Sequence, residues 1–321
     1  MSRFQSFLSP LVEAFIAFQK SSGRWNETYE HNLFLFDRYC IQSLPEAETL
    51  TQEIVDGWCA QRSTETSNSC RTRIYVISKF AHYLRDRKIE DVVGPHIPKM
   101  EPCTYIPHAF TEFELEGFFK ACDSLPSTPR TLVVLTRRIV VPVFFRLLYS
   151  SGIRTNEARM LHVGDVNLVQ GVISIRHSKG PSEHFVVLHD TMLDLLRRYN
   201  TAIQVLHPGR EYFFPSAKGS SLTNRWVIYT FHQLWNKHNK PHATAYELRH
   251  NYAVENINQW IGEGFEFYSK LVYLSKSMGH GSLESTKRYF HLVPAMADIL
   301  LELTRRDFDD IVPEVNYEES L

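Results

Sequence analysis

The chain has 321 residues, 43% of them hydrophobic and 22% charged, and a formal net charge of −1. That composition suits one large or two ordinary domains with real cores and excludes a disordered or collagen-like chain. No run of about 18 apolar residues occurs, so no transmembrane helix is expected. The N-terminal residues contain Glu13 and lack a small-residue cleavage site, so no signal peptide is expected either. The five cysteines (Cys40, Cys59, Cys70, Cys103 and Cys122) are scattered and never paired as CxxC. They read as reduced thiols in a cytosolic protein, with neither disulfides nor zinc. Charge is uneven: residues 301–321 carry −5 and the rest of the chain +4. A mildly basic body is compatible with DNA binding and equally with an ordinary surface.

Residues 1–90 read as a helical bundle. Ser9 and Pro10 form a cap-then-first-turn pair, followed by Leu11, Phe15 and Phe18 at helical spacing. Thr28–Cys40 repeats the signal through Leu33, Phe36 and Cys40, and Thr51–Gln61 is a third helix. The fourth, Ser69–Arg87, has Ile74, Ile77, Ala81 and Leu84 on one stripe. Its other side is expected to carry Arg71, Arg73, Lys79, Arg85, Arg87 and Lys88, either as a solvated face or as phosphate contacts that release counterions. Pro95, Pro98, Pro102 and Pro107 forbid a regular helix and mark 91–108 as a linker. A second domain, 109–300, opens with Thr111 and Glu114 in capping-box spacing. Arg137–Tyr149 is an apolar helix with Gly152 as its stop. From Gly171 the period changes to two through Val172–Arg176. A turn at His177–Pro181 carries Lys179, and Phe185–Leu188 returns as the second arm of a hairpin. Helices are expected at Thr191–Val205, Ser221–Asn239, Thr244–Trp260 and Ser282–Leu292, before an acidic tail at 301–321.

Polar residues gather at the ends of these elements. Arg154 follows the apolar helix with Glu157 three residues on, Arg249 and His250 follow Tyr246, Lys179 sits in the hairpin turn, and His280 lies between Gly279 and Gly281. Singly, each has an ordinary reading as a surface ion pair, a solvated helix or a turn residue. Together, two arginines, a lysine and a histidine describe a site for a phosphodiester whose charge grows during reaction. Tyr289 is the nearby candidate nucleophile; a phenol with a pKa of about 10 needs neighbouring cations to attack at neutral pH. No metal site is expected: Pro241 interrupts the helix that would align His238 with His242, and His184 and His189 fall on opposite strand faces. The five tryptophans read as core residues rather than base-stacking platforms.

The strings GIRTNEARMLHVGDV, ISIRHSKG, YELRHNYAV and SMGHGSLESTKRYFHL, in this order, resemble those of the tyrosine recombinases, also called phage-integrase-type recombinases. TYEHNLFLFDRYC and SNSCRTRIYVISKFAHYLRDRK look like helices of that family's core-binding domain. The resemblance implies a mainly α fold with a small antiparallel sheet, in which an N-terminal SAM-like core-binding bundle precedes a mixed α/β catalytic domain. By that resemblance Tyr289 attacks a scissile phosphate, leaving a 3′-phosphotyrosyl link and a free 5′ hydroxyl. Arg154 and Arg249 hold its non-bridging oxygens, Lys179 protonates the leaving oxygen, His280 hydrogen-bonds the phosphate and Glu157 orients Arg154. Arg71, Arg73 and Lys79 are the implied N-terminal DNA contacts. No cofactor and no metal are implied. The implied partner is a duplex recombination site clamped between the two domains, bound by a homotetramer that is a monomer when free, in the cytoplasm and on the nucleoid. The acidic tail is either a docking segment, a mask for the basic groove, or disordered. One position departs from the pattern: Tyr246 stands where the family has histidine. A phenol is a poor base at neutral pH, so Tyr246 is expected to position phosphate. Two alternatives remain at this point, a non-catalytic DNA-binding regulator on the same fold and a type IB topoisomerase-like relaxing enzyme.

Overall fold

The computed structural model describes residues 3–23, 25, 27–102, 105–176, 183–260, 265–290 and 293. The chain divides into two compact units, Met1–Tyr105 and Ile106–Leu321.

The first unit packs four helices, α1 (Ser9–Ser21), α2 (Glu27–Ser43), α3 (Gln52–Cys59) and α4 (Ser67–Asp86). Ser9 does not cap α1. Leu8 holds the N-cap position without a side-chain bond, and Ser9 Oγ instead donates to the Phe4 carbonyl at 3.1 Å. The buried stripe of α1 is Val12, Phe15 and Ile16, while Phe18 is exposed beneath the Arg87 guanidinium. Thr51 and Thr66 cap α3 and α4 through their side-chain oxygens, each satisfying one of the orphan donors of a helix start. Buried Asp37 on α2 accepts from the amides of Gln5 and Ser6 and from the Ser6 hydroxyl, which pins the N-terminal segment.

On α4 the stripe of Ile74, Ile77, Ala81 and Leu84 is buried as expected. Arg73 corrects the expectation of a basic outer face. It is 5% exposed and grips Glu65 with a two-pronged bond at 2.8 and 2.7 Å, and its other donors reach the carbonyls of Trp58 and Ala60. The 3.6-residue period puts position 73 beside 70, 74 and 77 on the inner face, so this guanidinium is a structural fork whose donors are engaged inside the bundle. Its hydrogen bond holds the Glu65 carboxyl below the usual range. Arg71 donates to the Pro98 carbonyl at 2.6 Å, and Lys79 lies over the rings of Tyr29 and Tyr75.

The second unit is built around a long apolar helix. Helix α5 (Glu112–Asp123) starts at the Thr111–Glu114 capping box, with bonds in both directions. Helix α6 (Leu132–Ser151) runs to Gly152, whose φ of 63° terminates it in the left-handed region. Next come α7 (Thr155–Arg159), a 3-10 turn at Val163–Asp165, and strands β1 (Val166–Asn167), β2 (Val172–Ile175) and β3 (His184–Val187). The sheet is antiparallel in the order β1-β2-β3, with Ile173 opposite Val186 and Ile175 opposite His184. Helices α8 (Asp190–Leu206), α9 (Asn224–Trp235), α10 (Glu247–Trp260), α11 (Phe265–Ser277) and α12 (Glu284–Lys287) complete it. Phe118, Phe144, Phe145, Phe231 and Trp235, all buried, centre the core between α5, α6 and α9. Each such ring contributes about 1.5–3 kcal/mol through burial. A smaller cluster of Ala253, Ile257, Leu271, Leu274, Met278, Tyr289 and Val293 joins α10 to α11 and the segment after α12.

The fold is thus mainly α with a small antiparallel sheet. It departs from the expected elements in several places. β1 is a two-residue strand too short to show a period, and α11 fills a segment that carried no helix expectation. Helix α12 is four residues, so Tyr289 follows it in a turn rather than riding on a helix. Helix α9 begins at Asn224, with Thr223 as cap. Among the described residues, no helix is long and apolar enough to cross a membrane.

Candidate active site

Three chain reversals bring the charged side chains together. The first is the end of α6. Gly152 is left-handed, and a Cβ there would lie 2.2 Å from the Tyr252 ring, so geometry and space both require glycine. Two residues later Arg154 caps α7. The Glu157 carboxylate, 3% exposed, reaches back to the Arg154 amide at 2.8 Å and takes its Nη1 at 2.6 Å. Glu157 therefore fixes both the backbone and the guanidinium of Arg154. Arg154 Nη2 donates to the Gly279 carbonyl at 2.8 Å, tying this reversal to the His280 turn.

The second is the start of α10, where buried Glu247 accepts from the amides of Thr244 and His108. It presents Arg249, 2% exposed, whose Nη1 donates to the Gly152 carbonyl at 2.5 Å and whose Nη2 donates to the Met278 carbonyl at 2.7 Å. Its Nε is buried with no hydrogen-bond partner among the described residues. Burial, then the Arg154 charge, pushes Arg249 below its usual pKa; a guanidinium nevertheless stays charged at any working pH.

The third is the turn after α11. Gly279 has a φ of 63°, and the His280 amide closes the turn on the Ser275 carbonyl. His280 Nε2 lies 3.0 Å from Arg249 Nη2 and its Nδ1 2.7 Å from Thr286 Oγ1. A guanidinium has no lone pair to offer, so Nε2 accepts and Nδ1–H donates to Thr286, which fixes a neutral tautomer. Burial, then Arg249 and Arg154, hold the His280 pKa down at about 4, consistent with that state. Tyr289 follows, its amide on the Thr286 carbonyl and its ring stacked 6.2 Å from His280. The phenol is 6% exposed. Burial holds its pKa above the usual phenol value, and the charge and hydrogen bond of Arg249 and the charge of Arg154 offset only part of that rise.

Arg154, Glu157, Arg249, His280 and Tyr289 are thus brought into one cluster. Tyr246, 44% exposed, stands at its edge. Its ring is 5.0 Å from His250, and His250 is 5.4 Å from Tyr289. Lys179 lies outside the described residues. Arg71, Arg73 and Lys79 belong to the first unit, and Arg73 is buried there. Two participants are not among the site residues expected from the sequence: Thr286, which orients His280, and His184, which lies 3.9 Å from Glu157. Among the described residues no group of His, Cys, Asp or Glu is placed to hold a metal ion. Chemically, the cluster offers fixed cationic donors beside a phenol.

The chain is similar to known proteins in sequence and in fold. The phage integrase family model matches residues 109–296. A tyrosine recombinase of Agathobacter rectalis is 27% identical over 326 residues, covering 96% of this chain and 99% of its own. In structure the chain is similar to the XerH site-specific recombinase bound to palindromic difH substrate in a post-cleavage complex. The TM-score is 0.60 at 18% identity, over 87% of this chain and 78% of that one. A lambda integrase tetramer bound to a Holliday junction gives a TM-score of 0.57 at 15% identity, over 88% of this chain and 76% of that one. The chain belongs to the phage integrase family, that of the tyrosine recombinases, whose general activity is site-specific DNA recombination.

Proposed function

We propose that this chain cleaves and rejoins duplex DNA through Tyr289, as an integrase-type recombinase of a mobile element. The observation that carries the reading is the hydrogen-bonded convergence of Arg154, Arg249 and His280 beside a tyrosine. Tyr289 Oη gives up its proton to solvent and attacks the phosphorus, the P–O5′ bond breaks, and a 3′-phosphotyrosyl link forms. Lys179 supplies the proton that leaves with the 5′ oxygen. Attack by a second strand's 5′ hydroxyl reverses the step and restores the phenol, so the phosphodiester is conserved. Arg154 and Arg249 bind the non-bridging oxygens, and the unpaired Arg249 Nε–H is a donor in reserve. A phosphate oxygen is a stronger acceptor than imidazole for Arg249 Nη2. Its arrival frees His280 Nε2, and the added negative charge raises the His280 pKa so that Nε2 can donate. Preorganised donors of this kind are worth about 2.7–4 kcal/mol each in the transition state. Tyr246 borders the phosphate without serving as a base.

The DNA and tetramer readings rest on the kinds of complex in which XerH and lambda integrase were captured. By the same reading the protein is a monomer when free and works in the cytoplasm, on the nucleoid. Residues 91–108 act as the linker between DNA-gripping and catalytic domains. One observation favours a second reading: a phenol only 6% exposed, beside a tyrosine where the family has histidine, suits a DNA-binding regulator without catalysis. The test is a random-sequence pool of nicked suicide duplexes. A recombinase leaves a covalent protein–DNA band with wild type and none with Tyr289→Phe. A regulator retains duplexes without any covalent band.

A further inference from the structure

We propose that His184 is a positioning residue for strand cleavage, its buried imidazole seating the Glu157–Arg154 pair against the Gly279–His280 turn. The inference rests on the recombinase reading above. His184 opens β3 opposite Ile175, and its side chain points inward with that of Val186. It is only 7% exposed. Its Nε2 lies 3.9 Å from Glu157 Oε2, the oxygen that holds the Arg154 amide. A Cβ added at Gly279 would come 2.5 Å from its Cε1, 2.7 Å from its Nδ1 and 3.0 Å from Arg154 Nη1. The imidazole therefore touches the backbone whose carbonyl receives Arg154 Nη2. It fills the corner between the carboxylate that aims one phosphate ligand and the turn that aims another. A leucine would fill the space but present no polar edge beside Glu157 Oε2, and a buried charge is less stable with fewer polar neighbours.

The experiment uses the full chain and the nicked suicide duplexes that wild type selects from the random pool. His184→Leu is expected to slow single-turnover cleavage by about 10- to 100-fold while duplex affinity stays within about threefold. His184→Gln, whose amide nitrogen can occupy the place of Nε2, is expected to recover at least about tenfold of that loss. A wild-type cleavage rate in His184→Leu, a loss carried wholly by affinity, or a glutamine no better than leucine would overturn the proposal. A second measurement is independent of activity: the Arg154 guanidinium resonance, assigned by its absence in Arg154→Lys. Its shift and protection from solvent exchange should change in His184→Leu and return in His184→Gln; an unchanged resonance overturns the proposal. Absence of any adduct with the wild type would strike the recombinase reading instead, and the resonance then decides this inference alone.

Discussion

Thr286→Val isolates the orientation of His280 from everything else in the site. Thr286 is fully buried, and its hydroxyl receives His280 Nδ1–H at 2.7 Å. Valine matches threonine in shape, so no cavity opens, and the methyl gained adds less than about 1 kcal/mol of burial. Against that, a buried donor left without an acceptor costs about 1–3 kcal/mol. The ring can escape by moving its proton to Nε2, but Nε2 is where Arg249 donates at 3.0 Å. Losing a bond to a charged group costs about 1.5–3 kcal/mol. Either way the net effect is loss, and the ring leaves the pose that puts Nε2 toward a phosphate. At about 1.4 kcal/mol per tenfold, cleavage should fall by about 10- to 100-fold. The assay is single-turnover adduct formation on the selected suicide duplex, with affinity measured separately and Thr286→Ser as the control that restores the hydroxyl. A folded Thr286→Val that cleaves at the wild-type rate would refute the reasoning.

Three further outcomes are expected. Gly152→Ala forces a Cβ into a left-handed position 2.2 Å from Tyr252 Cδ1; strain of about 1 kcal/mol plus overpacking of about 1–3 kcal/mol should appear as a lowered urea midpoint. For His280, the folded pKa of about 4 lies below the usual 6.5, so the unfolded chain takes the proton first as pH falls. Stability present above pH 6.5 is lost progressively toward pH 4. That gap is about 3 kcal/mol at full weight, brought to about 1 kcal/mol by the ring's access to solvent. Urea titrations at pH 7 and 4.5 should therefore show a steeper loss in wild type than in His280→Gln, and equal losses would contradict it. Tyr246→His should preserve or raise cleavage on the selected duplex, since it restores a base beside the nucleophile; abolished cleavage would mean the phenol has another role.

Local chemistry wrote much of this molecule into the chain. The Thr111–Glu114 capping box, the Gly152 stop and the period-two run at Val172–Ile175 all depend on neighbours within a few residues, and each stands where expected. So does the inward stripe of α4, because a 3.6-residue period needs no tertiary partner. Arg73 escaped for the opposite reason: its charge predicts solvent, but Glu65 and two backbone carbonyls supply enough acceptors to bury it. Phe18 is likewise apolar yet exposed, since packing chose the Val12–Phe15–Ile16 face. For the site, Arg154, Arg249 and His280 were legible because their motifs sit at chain reversals, where side chains converge. Thr286 and His184 were not, because their significance lies wholly in what they touch across the fold. The shortness of α12 and the burial of Tyr289 also depend on the small α10–α11 core, which no local pattern announces.

Strand cleavage by this chain depends on which tyrosine carries the DNA. The most direct measurement digests a wild-type adduct trapped on a suicide duplex and locates the nucleotide-bearing peptide by mass spectrometry. The account predicts a single modified residue, Tyr289, attached to a 3′-phosphate, with a free 5′ hydroxyl on the released strand. Attachment at Tyr246, Tyr268 or Tyr273, or a 5′-linked nucleotide, would contradict it.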